Sequence, residues 1–233
     1  VRTVIRELEP DRVACFSYAH VPWIKPHQKR LEGLAMATGW DKLQIFASAA
    51  REFVEAGYEF VGFDHFARPG DELATALAED RVHRNFMGYT VMPATDQVGI
   101  GSTAIGDIAG AFAANHKKLI TYQREVMNGR LPMERGLVRS SEDEVRRGVI
   151  NRLICTLRLD FDWIESCFGV DPHQHFEPAL VELAEMAADG LVEIDESGLR
   201  VTPTGRFFLR NLCMPFDAYL AREGGGQTFS RTV

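Results

Sequence analysis

The sequence predicts an α/β protein in which strands and a helix alternate first and helices dominate later. Residues 12–21 form an apolar and aromatic run that is too short for a helix, which is typical of a buried strand. Apolar side chains then recur at helical spacing over residues 40–54, and Gly57 follows where a helix would end. Residues 59–64 have the pattern of a second strand. This order predicts a βαβ unit with parallel strands whose carboxyl ends lie at one edge of a sheet.

Shorter elements are predicted between this unit and Gly136. The glycine-rich residues 99–106 would follow a strand and open a helix, but their spacing is not that of a dinucleotide-binding loop. On these residues alone, close packing of the backbone explains the glycines better than a ligand does. The predicted elements are an amphipathic helix at residues 1–8, a helix at 71–80, an irregular or extended segment at 85–90, a strand at 96–100 and a helix at 115–128.

After Gly136 the pattern becomes mainly helical. Ser141 and Glu144 have the spacing of a capping box at the start of a helix. Helices followed by a hairpin suggest a winged-helix arrangement, so we divide the chain into residues 1–136 and 137–233. The later elements are a helix at 175–188, strands at 191–194 and 199–202, a last helix from Thr202, and a glycine-rich tail at 224–226.

Composition narrows the class of protein. The 233 residues are 45% hydrophobic and 25% charged, and no apolar stretch approaches the roughly 20 residues of a membrane span. The net charge of −7 argues against broad electrostatic binding of nucleic acid. Cys15, Cys155, Cys167 and Cys213 are widely spaced in apolar surroundings, so we expect reduced, mostly buried thiols in a cytoplasmic protein and no metal site. The first residue is not Met and no targeting segment is recognised, so we expect the chain to be a fragment.

Three groups of polar side chains are candidates for chemistry. His65 and Arg68 follow the second strand, although a half-buried ring and a pair between Arg68 and Asp71 or Glu72 would explain them equally well. Arg84 follows His83 near an aromatic segment, for which a solvated turn is the favoured interpretation. The spacing of His173 and His175 allows a metal pair, but the start of a helix explains it better.

Several longer motifs resemble those of one enzyme family, and they follow each other in unbroken order through the chain. They resemble oxygen-independent coproporphyrinogen III oxidases, which are radical S-adenosylmethionine (SAM) enzymes. The motifs are SYAHVP at 17–22, YEFVGFDHFARPGDELA at 58–74, HRNFMGYT at 83–90, GIGSTAIG at 99–106, LICTLRLD at 153–160, DGLVEIDESGLRVTPTGRFFLRNLCM at 189–214 and the terminal FSRTV.

The resemblance implies a partial β/α barrel followed by a mainly helical, winged-helix-like domain. It also implies SAM and a [4Fe-4S] cluster as cofactors, although the Cys-x3-Cys-x2-Cys motif that binds the cluster is absent here. By this resemblance the chain corresponds to the C-terminal half of the enzyme, and the missing N-terminal half is an expected partner. The chain by itself is expected to be inactive.

The implied reaction is oxidative decarboxylation of two propionate side chains of coproporphyrinogen III to vinyl groups, which gives protoporphyrinogen IX. A 5'-deoxyadenosyl radical removes hydrogen from the propionate, and an electron donor and an electron acceptor complete the reaction. The resemblance assigns Ala19 and Ile105 to SAM binding. Because the substrate carries four carboxylates, His65, Arg68 and Arg84 are predicted substrate contacts.

Two positions depart from the family pattern, and two other functions are alternatives. Met87 stands where glutamine is expected and Gly106 where serine is expected, which puts detailed substrate contacts in doubt. One alternative is a haem-binding or haem-handling relative without oxidase activity. The other is a winged helix that binds nucleic acid, against which residues 176–188 contain three glutamates and no Lys or Arg.

Overall fold

The computed structural model describes residues 1–93 and 96–220, and it shows a mixed α/β fold. The strands are β1 (Arg12–Ala14), β2 (Glu59–Gly62), β3 (His65–Ala67), β4 (His83–Asn85), β5 (Gly88–Thr90), β6 (Ile105–Ile108), β7 (Ala111–Asn115), β8 (Met133–Val138), β9 (Arg158–Asp160), β10 (Val192–Asp195) and β11 (Gly198–Val201). The helices are α1 (Gly39–Glu55), α2 (Glu72–Ala78), α3 (Leu119–Met127), α4 (Ser141–Thr156), α5 (Phe161–Phe168), α6 (Pro172–His175), α7 (Glu177–Ala188) and α8 (Leu209–Cys213).

The first sheet corrects the prediction of a parallel βαβ unit. Its order is β1-β3-β2, and β3 pairs antiparallel with both neighbours. Helix α1 and strand β2 lie where the sequence predicts them. The predicted strand at 12–21, however, ends at Ala14, and the following Phe16 and Tyr18 are exposed. The pattern predicted too long a strand because the aromatic side chains of this run lie at the surface rather than in a core.

The glycine-rich segment is also different from the prediction. Instead of a strand leading into a helix, it precedes the antiparallel sheet β6-β7-β8, and the predicted strand at 96–100 is reduced to one bridge between Gln97 and Asp107. Asn115 ends β7, so helix α3 begins later than predicted. Residues 85–90, predicted as irregular or extended, contribute to the β4–β5 hairpin.

The second half follows the predicted order with three corrections. The capping box of α4 uses Ser140 and Asp143 rather than Ser141 and Glu144. The helix predicted at 175–188 corresponds to α7, which begins at Glu177, and the separate short helix α6 ends at His175. The predicted hairpin is present as β10–β11, and β9 adds a third strand to it. The last helix begins with a 3-10 turn at Gly205–Phe208 and continues as α8.

One apolar core contains buried residues from both sides of Gly136. Val61 and Leu73 belong to the same cluster as Val149, Leu153 and Leu212. A smaller aromatic cluster lies beside β2 and β3, where Phe66 stacks on Phe53 and Phe60 with ring centroids 4.8 and 4.9 Å apart. The shared core fixes α4 against the β4–β5 hairpin, and the Tyr89 hydroxyl donates a hydrogen bond to the Ile154 carbonyl over 3.2 Å.

At the N-terminus the predicted amphipathic helix is a single π-type turn, Val4–Leu8. The glycine-rich tail at 224–226 and the terminal FSRTV motif lie outside the described residues. Among the helices that the structure describes, none is both long and apolar enough to cross a membrane.

Candidate functional site

His65 lies at the turn between β2 and β3, in an aromatic environment. The two-residue turn is tight, and Phe63 adopts a φ of 46° there. The ring centroid of His65 is 5.1 Å from that of Tyr89 and 6.2 Å from that of Phe16. Its Nδ1 atom lies 2.6 Å from Oδ1 of Asp64, but this contact does not have hydrogen-bond geometry, and the buried Nδ1 has no hydrogen-bond partner among the described residues. The half-buried ring matches the simpler of the two predicted interpretations and still leaves one edge facing Gly88.

Arg68 lies apart from His65. It follows the opposite end of β3, about 10 Å away along an extended strand. Its side chain is 40% exposed, and its guanidinium lies 3.6 Å from Glu9. The predicted pair with Asp71 or Glu72 is wrong, because Arg12 contacts both of these carboxylates at 2.8 Å.

Arg84 is placed differently from the solvated turn that its sequence favoured. It lies on β4 with its guanidinium carbon 5.0 Å from the ring centroid of Phe63 and 5.7 Å from that of Tyr89. In the part of the chain that the structure describes, no carboxylate lies within ion-pair distance of Arg84. It lines a cleft of about 490 Å³ between the β4–β5 hairpin and α4. Arg84 and His65 therefore both lie next to Tyr89.

Ala19 lies in an exposed extended segment that follows β1. Gln28 donates a hydrogen bond to the Ala19 carbonyl over 3.0 Å, and Lys42 donates one to the Tyr18 carbonyl over 3.3 Å. The N–H groups of residues 16–20 have no hydrogen-bond partner among the described residues. Free donors beside exposed aromatic rings suit a ligand that accepts hydrogen bonds and presents a flat ring.

Ile105 begins β6 and is half-buried. The glycine-rich loop before it is held from within, because the Asn115 side chain donates hydrogen bonds to the carbonyls of Gly99 and Gly101, each over 2.9 Å. A Cβ atom on Gly99 would lie 2.8 Å from the carbonyl carbon of Ile105, so close backbone packing requires this glycine. The loop thus presents Ile105 from a rigid backbone.

The four cysteines do not form a cluster site. Cys155 and Cys213 are buried, Cys15 is half-buried and Cys167 is exposed, so the expectation of mostly buried thiols holds for two of the four. Among the described residues, no group of three or more His, Cys, Asp or Glu side chains is placed to hold a metal ion. A [4Fe-4S] cluster therefore does not fit the donors of this chain. His173 packs against Phe161, and His175 lies 2.9 Å from Glu142.

The buried thiols predict a loss of stability at high pH. Burial raises the pKa of Cys155 to about 11 and that of Cys213 to about 12. Because each thiol releases its proton more readily in the unfolded chain, stability is complete below about pH 9 and falls as the pH rises toward these values, by up to about 2 kcal/mol per thiol at pH 10.5. Urea unfolding at neutral pH and at pH 10.5 measures the change. Cys155→Ala should make the decline shallower, and an unchanged decline would contradict this assignment.

Sequence reasoning missed the charged groups that join the β6-β7-β8 sheet to α4. Asp107 on β6 accepts hydrogen bonds from Arg139 and Arg147, both over 2.6 Å. Arg152 lies one turn further along α4 with its guanidinium carbon 5.4 Å from the ring centroid of Trp163. No local motif marks these residues, because the partners of Asp107 follow it by 32 and 40 positions.

The fold matches that of a radical SAM enzyme. A solved structure of coproporphyrinogen III oxidase from Escherichia coli, described as a radical SAM enzyme, is 41% identical and superposes with a TM-score of 0.87, covering 94% of this chain and 50% of that one. A family model described as "HemN C-terminal domain" matches residues 140–208.

The curated relatives narrow this class to one family. Oxygen-independent coproporphyrinogen III oxidase from Salmonella typhimurium is 41% identical over 98% of this chain and 50% of its own length. The enzyme of the same name from Thermostichus vulcanus is 40% identical over 97% of this chain and 70% of its own length. The chain belongs to the family of oxygen-independent coproporphyrinogen III oxidases, which confirms the resemblance of the motifs. It spans about half the length of the Salmonella relative.

Proposed function

We propose that a protein containing this chain converts coproporphyrinogen III to protoporphyrinogen IX without oxygen. In each of two propionate side chains, a hydrogen atom would pass from the β-carbon to the radical that SAM supplies, the carboxylate leaves as CO₂, and the one remaining electron passes to an acceptor as the vinyl group forms. The observation that carries the proposal is the collinear match of 41% identity over 98% of the chain to an oxidase of this activity. The matched oxidases named above give no support to a haem-handling function.

We propose that SAM contacts this chain at Ala19 and Ile105, whereas the cluster ligands lie on a polypeptide segment outside it. The free N–H groups of residues 16–20 and the half-buried Ile105 support the first part, and the scattered cysteines support the second. When bound, the two cofactors would supply the one-electron chemistry of the reaction. The contribution of this chain is to position the groups that react and to shield them from water.

For substrate binding, we propose that His65 and Arg84 act from neighbouring positions beside Tyr89. Arg84 has no carboxylate partner among the described residues, which leaves its charge available to a substrate carboxylate. Arg68 stays a proposed contact, but its place beyond the far end of β3 would assign it to a different carboxylate of the substrate.

The finer description of the fold is also a proposal. Residues 1–136 would form the last part of a partial β/α barrel, and residues 137–233 a helical, winged-helix-like domain. The match to a radical SAM enzyme supports the first part, and helices followed by the β10–β11 hairpin support the second. We expect a cytoplasmic location, an electron donor, and an electron acceptor outside this chain.

The test uses the full-length protein in which this chain occurs, purified and loaded with iron and sulfide under anaerobic conditions. After the absorbance of a [4Fe-4S] cluster has been verified, coproporphyrinogen III, SAM, a low-potential reductant as electron donor and an electron acceptor are added, and the products are oxidised and separated as fluorescent porphyrins. We expect protoporphyrin from the full-length protein. Absence of protoporphyrin from cluster-loaded protein would overturn the proposed reaction.

The isolated 233-residue chain is the matched control for the cluster. We expect it to bind neither iron nor sulfide after the same treatment, because no three of its thiols converge. Stoichiometric iron and sulfide with a brown absorbance shoulder would show that the cluster ligands do lie in this chain.

A further inference from the structure

The cleft between the β4–β5 hairpin and α4 has an unusual balance of charge. Three arginines line it: Arg84, Arg147 and Arg152. Asp107 and Glu144 together compensate Arg147 and the neighbouring Arg139, and Arg147 lies 2.6 Å from Oδ2 of Asp107 and 3.6 Å from Glu144. The other acidic group at the cleft, Asp80, is paired with Arg158. None of these carboxylates compensates Arg84 or Arg152.

Arg84 and Arg152 are thus two cations without a carboxylate partner in the part of the chain that the structure describes. The Nε atom of each is buried and has no hydrogen-bond partner there. Cys155, which lines the cleft with them, does not compensate their charge, because burial raises its thiol pKa to about 11 and the thiol is neutral at physiological pH. Buried N–H donors without acceptors are costly, so they call for an anion that fills the site.

The walls of the cleft are aromatic. The guanidinium of Arg152 lies against Trp163, and the rings of Trp163 and Phe168 meet edge to face with centroids 5.6 Å apart. On another side, the rings of Phe86 and Phe112 also meet edge to face, 5.3 Å apart. A cavity of about 490 Å³ with aromatic walls and two arginines without carboxylate partners among its lining residues has the size and character of a small-molecule site.

We propose that Arg84 and Arg152 form a carboxylate-binding pair in this cleft, and that the aromatic walls receive the pyrrole ring that carries the carboxylate. The identification of the ligand as one propionate-bearing edge of the tetrapyrrole rests on the proposed function. The inference that the two arginines bind a carboxylate rests on their guanidinium groups, which have no carboxylate partner among the described residues. Arg152, Trp163 and Phe168 thereby join Arg84 as substrate-binding residues, because each lines the same cleft.

A structural role and a binding role for the two arginines predict different effects of their replacement on stability. Removing one partner of a buried ion pair leaves the other charge uncompensated and lowers the melting temperature. Arg84 and Arg152 make only ring contacts, which offset part of the cost of placing two like charges beside one cleft. Glutamine at either position should therefore leave the melting temperature unchanged or raise it, while binding is weakened.

The experiment measures binding of coproporphyrin III, the stable oxidised form of the proposed substrate, to the full-length protein in which this chain occurs, by porphyrin fluorescence anisotropy. We expect Arg84→Gln and Arg152→Gln each to weaken binding by about tenfold, as for the loss of one charge-assisted hydrogen bond. The matched control is Arg81→Gln, because Arg81 is exposed and paired with Glu79 outside the cleft. This control should change the affinity by less than about twofold.

Three results would overturn the proposal: no binding of coproporphyrin III by the wild-type full-length protein, equal loss of affinity in all three variants, or loss of affinity together with a lowered melting temperature. Inorganic phosphate at matched ionic strength separates the two oxyanions that arginine binds best. Full displacement of the porphyrin by phosphate would assign the pair to a phosphate and overturn the carboxylate assignment. These outcomes are independent of turnover, so failure of the full-length protein to form protoporphyrinogen IX would overturn the reaction without deciding the cleft.

Discussion

Replacing Asp107 with alanine is expected to lower the free energy of unfolding by about 3–5 kcal/mol, as when one partner of a buried ion pair is removed. The Asp107 side chain is only 12% exposed and accepts one hydrogen bond from Arg139 and one from Arg147. The Arg139 side chain is 6% exposed, so its charge cannot regain water when the carboxylate is lost. The partner of Arg139 that would remain, Glu144, lies on α4 and satisfies only one side of the guanidinium.

Chemical denaturation of the wild-type chain and Asp107→Ala measures this loss. The matched control is Glu79→Ala, which removes a carboxylate from the exposed pair with Arg81 and should cost less than about 1 kcal/mol. Asp107→Asn should fall between the two, because the amide keeps one acceptor but turns a donor toward a guanidinium. Equal effects of Asp107→Ala and Glu79→Ala would show that the buried pair contributes little.

Elements defined by local pattern were predicted well from the sequence. Helix α1 shows its apolar spacing within one segment, and the β10–β11 hairpin surrounds a short polar turn. The prediction of a strand over residues 12–21 was wrong beyond Ala14, for a reason that no local pattern reveals. Its partner β3 lies more than fifty residues away in sequence, and the pairing ends at Ala14, after which Phe16 is 72% exposed.

In the candidate site, too, local motifs were found from the sequence, whereas the contacts between distant residues were not. Family motifs led to His65, Arg68 and Arg84, but only the structure shows that Arg68 lies apart from the other two. Arg152 has no signal in the sequence because it is one of several arginines on an amphipathic helix. Its importance depends on which of them Asp107 neutralises, and Asp107 reaches α4 from a strand forty positions earlier.

Asp107 consequently has two effects on the cleft. Together with Glu144, it compensates Arg147 and Arg139, which leaves Arg84 and Arg152 as the cations available to a ligand. By pairing with Arg139 as well, it holds β6, and with it Ile105, against the start of α4. The proposed SAM contact and the proposed carboxylate pair are therefore linked through one buried side chain.

Replacing Gly205 with alanine is expected to destabilise the second half of the chain by about 3 kcal/mol or more, at or above the upper end of typical overpacking effects. A Cβ atom at Gly205 would lie 1.8 Å from the carbonyl oxygen of Leu191 and 2.8 Å from its carbonyl carbon. This carbonyl cannot simply turn away, because it accepts a hydrogen bond from the Thr202 N–H over 3.1 Å. Thr202 in turn holds Gly205, whose N–H donates to the Thr202 hydroxyl over 3.0 Å.

The contact of Gly205 with Leu191 joins the loop after α7 to the start of the last helix, so relief of the clash must move one of them. We expect the melting temperature to fall by roughly 6–12 °C, at about 2–4 °C per kcal/mol for a chain of this size. Gly70→Ala is the matched control, because Gly70 is exposed and a Cβ atom there would meet nothing within 4 Å. Alanine at Gly70 should leave stability unchanged or raise it slightly, because it restricts the unfolded chain. Both alanine variants could instead have the melting temperature of the wild-type chain. The backbone at Leu191 would then move to accommodate a methyl group with little loss of free energy, and close packing would not explain the glycine at position 205.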